Sequence, residues 1–180
     1  MIQNCNIHRV LKVFLDDPLK GFRLREIARI LKLGLPSVSR YIKELEKAKL
    51  IIKKVIYANK LWFGNKESRL FKIYKKFETI ISIEQSELIQ YLDEKLNLPT
   101  IVLYGSHALG DDRKESDIDL FIITSSKENL KIEQFEKTLG KKLHLFIHTE
   151  DEFKKIKINN KELTNNVLNG IVLSGYLKVL

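Results

Sequence analysis

The sequence predicts an α/β (α+β) fold in two modules, and three observations carry that expectation. Apolar residues recur at helical spacing through the first third of the chain and then give way to a short β-rich hairpin. After Pro99 the pattern changes to strand, helix, strand, helix, strand, each element short. The charge is divided just as unevenly: residues 1–65 hold 14 Lys and Arg against 5 Asp and Glu, while residues 66–180 hold 18 of each, so the whole formal excess of +9 lies in the first part. A chain of 180 residues has room for one domain or two small ones, and the expected division is 1–65, a helical connector at 66–97, and 98–180. With 44% hydrophobic residues, 8 Gly and 3 Pro, the composition excludes disordered and collagen-like classes.

In the first part, Ile7, Val10, Leu11, Phe14 and Leu15 mark a helix between Asn4 and Asp16, ended by Pro18 and Gly21. A second helix covers Leu24–Leu31, with Leu24, Ile27, Ala28 and Leu31 expected inside and Gly34 as its left-handed cap. Pro36 suits the first turn of a third helix, whose apolar stripe is Val38, Ile42, Leu45 and Leu50. Two β-rich pieces follow, Ile51–Tyr57 and Lys60–Phe63, with Ala58-Asn59 as the expected turn.

Three helices and a hairpin in this order resemble the winged helix-turn-helix domain, and Leu24-Arg-Glu-Ile-Ala-Arg-Ile-Leu followed by Ser37-Val-Ser-Arg-Tyr-Ile-Lys-Glu-Leu-Glu is similar to its prokaryotic regulator form. The resemblance implies DNA binding. The third helix would then bring Ser37, Ser39, Arg40 and Lys43 to base edges in the major groove. Lys53, Lys54 and Lys60 on the hairpin would meet phosphates, which set affinity rather than sequence preference. The alternative reading of the same residues is a protein-binding adaptor with a solvated basic face.

Residues 66–97 read as helix, with Leu70, Ile73, Tyr74, Phe77, Ile80 and Ile81 and then Leu88, Leu92 and Leu96 at spacings of three or four. An amphipathic linker packed on one or both modules is one outcome; a homodimer contact along the connector is the other. No internal repeat or low-complexity tract occurs.

The second part is organised around Tyr104-Gly105-Ser106, ten intervening residues, and Asp117-Ile118-Asp119-Leu120. Strands are expected at Thr100–Tyr104, Ile118–Thr124 and Lys142–Ile147, with helices at Ser106–Gly110, Lys127–Leu139, Thr149–Lys157 and Glu162–Leu168. Side chains two apart on a strand share a face, so Asp117 and Asp119 place two carboxylates side by side. Such a pair calls for a cation, and few hard oxygen ligands suit Mg2+ (or Mn2+), which keeps waters and shares substrate phosphates. Gly105 and Ser106 stand where a strand turns into a helix, a position whose free N–H groups favour phosphate. Asp111, Asp112, Arg113, Lys114 and Glu115 between them read as a solvated, flexible connector, and His107 as a residue lining the pocket.

The segment Tyr104-Gly105-Ser106-His107-Ala108-Leu109-Gly110 with Ser116-Asp117-Ile118-Asp119-Leu120 resembles the minimal nucleotidyltransferase domain of the DNA polymerase beta superfamily, over residues 98–180. The tail Asn169–Tyr176 looks like the closing strand of small prokaryotic members. The resemblance implies a small mixed sheet with flanking helices and transfer of a nucleoside monophosphate from a nucleoside triphosphate to a hydroxyl. By matching positions, Gly105 and Ser106 would hold the triphosphate, and Asp117 and Asp119 a Mg2+ that bridges phosphates. The family usually adds a third carboxylate from the next long strand, and the matching position here is His144. An imidazole can accept a proton, bind a softer metal or be merely structural, but it adds no negative charge. Leu109 stands where many relatives carry Arg.

Two functions therefore follow: a nucleotidyltransferase that attaches a nucleoside monophosphate to an unknown hydroxyl and is tethered to DNA, or a catalytically impaired regulator that senses nucleotide. No apolar stretch approaches the length of a membrane helix and the start lacks a signal-peptide pattern, so a cytoplasmic, non-membrane protein is expected. The single cysteine, Cys5, leaves no internal disulfide and no thiolate metal cage.

Overall fold

The computed structural model describes residues 5–126 and 128–177. The chain divides into two compact units, Met1–Lys75 and Lys76–Leu180.

The first unit contains α1 (Asn6–Asp16), α2 (Leu24–Leu31), α3 (Leu35–Lys47) and a hairpin of β1 (Ile51–Ile56) and β2 (Asn59–Gly64). Val10, Phe14, Ile27, Val38, Ile42 and Trp62 meet in its core. Of the four residues expected inside on α2, only Ile27 is fully buried; Leu24, Ala28 and Leu31 are half-buried. The left-handed cap of α2 is Lys32 (φ 54°), not Gly34, which has φ −63° and opens α3 instead. The stop comes early because the Lys32 and Leu33 amides already satisfy the Arg29 and Ala28 carbonyls, and the Arg9 guanidinium donates to the Leu31 carbonyl at 3.0 Å. The hairpin turn lies one residue before its expected place: Ile56 pairs with Asn59, so Tyr57 and Ala58 form the two-residue turn, with φ of 46° and 63°. Phe22 exchanges both backbone hydrogen bonds with Trp62, at 2.9 and 3.0 Å, which ties the segment before α2 to the hairpin.

The long connector is two helices, α4 (Arg69–Gln85) and α5 (Leu88–Leu96). They part at Glu87, whose φ of 62° ends the helical path. On α4 the buried row is Phe71, Lys75, Thr79 and Ile83, while Leu70, Ile73 and Phe77, expected on the inner face, are exposed. The stripe is rotated because a lysine can lie in the buried row when its ammonium has a partner: Lys75 Nζ donates to the Leu15 carbonyl at 2.9 Å.

The second unit adds β3 (Thr100–Tyr104), α6 (Gly105–Leu109), β4 (Ile118–Ile123), α7 (Glu133–Leu139), β5 (Leu143–His148), α8 (Glu150–Asn159), α9 (Lys161–Leu168) and β6 (Ile171–Ser174). Its mixed sheet has the order β5-β4-β3-β6, with β4 and β5 parallel and the other pairs antiparallel. Strand alternation divides the core in two. Ile101, Leu103, Leu120 and Ile122 pack with Leu88 and Leu92 of α5, whereas Val102 and Phe121 pack with Phe153 of α8 and Val167 of α9. Thr149 caps α8 in a capping box: its hydroxyl accepts from the Glu152 amide at 3.2 Å and its own amide donates to Glu152 Oε2 at 2.8 Å. The helix expected from Lys127 begins only at Glu133, and Lys127 itself lies outside the described residues. Residues 128–132 stay irregular; the Lys131 amide donates to the Tyr91 hydroxyl at 2.9 Å, a bond that competes with helix formation.

Candidate functional site

Three strands and one glycine corner build the site. Asp117 directly precedes β4 and Asp119 is its second residue, so the two carboxylates share the sheet face of Phe121. Asp119 lies between Tyr104 of antiparallel β3 and His144 of parallel β5. The His144 imidazole spans the pair: its Nδ1 is 3.4 Å from Asp119 Oδ1 and its Nε2 is 3.6 Å from Asp117 Oδ2. All three side chains remain open to solvent, His144 most of all at 53%.

The corner after β3 closes on the same place. Gly105 opens α6 with φ 72°, and a Cβ placed there would stand 2.7 Å from Asp119 Oδ2. Only a residue without a side chain lets the carboxylate come so near while the chain turns in the left-handed region. Gly105, Asp117, Asp119 and His144 are thus brought together. Ser106 follows in the first turn of α6, half-buried, with its carbonyl accepting from the Asp111 amide at 2.9 Å. Leu109 is exposed. Tyr104, buried beneath the corner, has its phenol pushed up to about 12, first by burial and then by the charge of Asp119. At neutral pH it is an uncharged wall. Phe146 stands exposed at the edge of this face, its ring 6.0 Å from that of Tyr104.

The loop from Gly110 to Ser116 is held rather than loose, which corrects the expectation of a flexible connector. Asp112 is buried, and His107, expected to line the pocket, is buried as well. The His107 Nδ1 is 3.0 Å from Thr79 Oγ1 and 3.7 Å from Asp112 Oδ2, and its Nε2 is 3.4 Å from the Ser116 carbonyl. Lys141, which the sequence reading passed over, donates to the carbonyls of Arg113, Lys114 and Ser116 at 3.1–3.3 Å. No periodicity could mark it, because its partners are some 25 residues away along the chain. Beside it, Glu136 accepts from the Leu143 amide at 3.0 Å. That bond, with Lys142 next to it, holds the Glu136 carboxyl below the usual glutamate value of 4.5.

The donor set suits one hard divalent ion. Asp117 and Asp119 are the two carboxylates that could hold such an ion, with phosphate and water as its remaining ligands. A cage made by the protein alone is another matter: among the described residues no group of three or more His, Cys, Asp or Glu is arranged to hold a metal.

In the first unit, Arg40, Lys43, Lys53, Lys54 and Lys60 are exposed, and Ser37 and Ser39 are half-buried. Ser37 and Arg40, and likewise Ser39 and Lys43, are one turn apart on α3. Arg40 donates to the Tyr41 hydroxyl at 3.2 Å, its guanidinium 5.0 Å from that ring's centre. The hairpin register puts Lys53 and Lys60 on one face and Lys54 on the other, where its ammonium lies 5.2 Å from the Phe63 ring centre. The three lysines do not form one patch.

Among the described residues no helix is long and apolar enough to cross a membrane. The family model described as polymerase beta, nucleotidyltransferase matches residues 86–176. No curated protein matches the chain. A solved structure of a candidate nucleotidyltransferase from Sulfolobus solfataricus is similar at 14% identity, covering 56% of this chain and 84% of that one, with a TM-score of 0.34. A likeness that loose supports nothing further.

Proposed function

The chain belongs to the polymerase beta nucleotidyltransferase family, and from that premise we propose that its second unit transfers a nucleoside monophosphate from a nucleoside triphosphate to a hydroxyl while its basic first unit, read as a winged helix, binds DNA. The observation that carries the transfer is the approach of Asp119 to the Gly105 corner, with Asp117 and His144 beside it. A triphosphate seated against Gly105 and Ser106 lies within reach of both carboxylates. A Mg2+ or Mn2+ ion held there by Asp117 and Asp119 would neutralise charge on the phosphates. The acceptor oxygen forms its bond to the α-phosphorus, the bond to the bridging oxygen breaks, and pyrophosphate leaves with that electron pair. His144 would take the hydroxyl proton, in the position where the family usually carries an acid.

His144 also favours the second reading, a nucleotide-sensing regulator, because a residue that brings no negative charge weakens the hold on a second ion. Incubation with labelled nucleoside triphosphates and Mg2+ or Mn2+ separates the two. Transfer or pyrophosphate release that disappears in Asp117→Asn and Asp119→Asn supports the enzyme. Nucleotide binding without turnover supports the sensor, and absence of both removes the proposal. A folded His144→Asp variant that changes neither activity nor metal affinity would show that residue 144 is not the third position.

For the first unit, Ser37, Ser39, Arg40 and Lys43 are the residues proposed for the major groove and Lys53, Lys54 and Lys60 for phosphates. Homodimerisation along α4, where Leu70, Ile73 and Phe77 are exposed, completes the reading. Sedimentation of wild type and Phe77→Lys checks it.

A further inference from the structure

Asp117 stands at the end of a loop, not within a strand, and a loop residue holds a charge in one place only if something holds the loop. The bonds found here meet one peptide away from it. The Ser116 carbonyl accepts from two side chains at once, His107 Nε2 at 3.4 Å and Lys141 Nζ at 3.3 Å. A carbonyl can only accept, so Nε2 carries a proton toward Ser116, while Nδ1 pairs with the Thr79 hydroxyl. The same ammonium also donates to the carbonyls of Arg113 and Lys114, at 3.3 and 3.1 Å, so it bonds three carbonyls of this loop. On the outer side the loop closes on itself: the Arg113 amide donates to Ser116 Oγ at 2.9 Å and the Ser116 amide to the Arg113 carbonyl at 3.1 Å. At its start, the Asp111 amide reaches back to Ser106.

We propose that Lys141 and His107 are positioning residues for Asp117: they clamp the 110–116 loop between α6 and the start of β5, and thereby set where this carboxylate stands relative to Asp119 and the Gly105 corner. This rests on the metal-nucleotide reading of the site given above. The geometry explains why each clamp comes from where it does. His107 is two residues past the glycine corner and holds the loop to it. Lys141 is two residues before β5, the strand that carries His144. The one carbonyl both bind therefore links the phosphate corner, the first carboxylate and the third position. With three loop carbonyls on its ammonium, the role of Lys141 is to hold the loop.

The test uses the full chain, Mn2+ and α,β-methylene-ATP, whose α–β linkage cannot be cleaved. Bound Mn2+ is measured by its paramagnetic resonance signal, and exchange of the Ser116 and Asp117 amides by hydrogen–deuterium methods. Lys141→Met is expected to weaken Mn2+ binding about 10- to 100-fold, the usual effect of removing groups that orient a metal ligand, and to speed exchange at both amides. Lys141→Arg, which keeps a cation with several donors, is expected to recover most of the loss. Ser116→Ala loosens the loop from its exposed side without burying a charge, so it folds even where Lys141→Met does not. It should weaken binding about threefold. Faster loop exchange with unchanged Mn2+ affinity overturns the proposal, as does lost affinity that Lys141→Arg does not restore. A wild-type protein that binds no Mn2+ with the analogue fails earlier, at the proposed function itself, and takes this inference with it.

Discussion

Replacing Gly105 with alanine separates two effects that the corner combines. The first is conformational: at φ 72° an L-residue costs about 1–2 kcal/mol, offset by about 0.4–1 kcal/mol because alanine restricts the unfolded chain. About 1 kcal/mol of net destabilisation remains, or roughly 4 °C in Tm for a unit of this size. The second is steric. The new methyl would stand 2.7 Å from Asp119 Oδ2, against ordinary contacts of 3.4–4 Å, so the carboxylate must swing away. That motion is cheap for stability and costly for a metal ligand. Gly140 supplies the control, since it has φ 64° with nothing within 4 Å of a built Cβ. Both alanine variants should lose a similar few degrees by calorimetry, and only Gly105→Ala should also lose Mn2+-dependent nucleotide binding, by at least about tenfold. Equal nucleotide affinity in the two variants, at equal Tm, would refute the view that the glycine makes room for the Asp119 carboxylate.

Three further outcomes follow from the same structure. Tyr104 has its pKa raised to about 12, so its contribution to stability is complete below the ordinary phenol value and is lost as pH rises through about 12. In EDTA, absorbance at 295 nm should show one of the six tyrosines ionising last, and Tyr104→Phe should abolish that step; a single step near pH 10 would contradict its burial. Glu136 has its pKa lowered by the Leu143 amide and Lys142, so its contribution is present above the usual glutamate value and fades as pH falls below it. Glu136→Gln should flatten the acid side of the stability profile, and an unchanged slope there counts against the bond. Duplex DNA affinity should drop steeply between 50 and 200 mM salt if Lys53, Lys54, Lys60 and Lys43 displace counterions, by about 10²-fold for four contacts. A flat titration argues for a protein partner instead.

Legibility in the sequence followed the range of the forces involved. The helices of the first unit, the order of elements after Pro99 and the cap at Thr149 depend on neighbours within a few positions, and they could be read. Even so, local rules competed: Gly34 was a reasonable stop for α2, yet Lys32 took the left-handed cap because partners for its own and the next amide were at hand. The Asn59 end of the hairpin turn shifted for a similar reason, since pairing Ile56 with Asn59 completes the ladder. On α4 the apolar pattern alone pointed at Leu70 and Phe77, and a distant carbonyl at Leu15 moved Lys75 inward instead. The loop after Gly110 read as solvated and flexible because its residues are charged; Asp111, Arg113, Lys114 and Glu115 are exposed as expected, but the loop is held by His107 and Lys141, which no spacing connects to it.

What the chain's order of residues determined by itself was a glycine at a strand-to-helix corner and two acids with a period of two, hence on one side of a strand. Which strand lies alongside those acids was left to the fold. Pairing β4 with β5 in parallel put an imidazole between two carboxylates, and a lysine just ahead of β5 gathered the carbonyls before them. Periodicity constrains only the direction in which a side chain leaves its own element, whereas neighbours across a sheet are chosen by where the whole apolar surface can be buried.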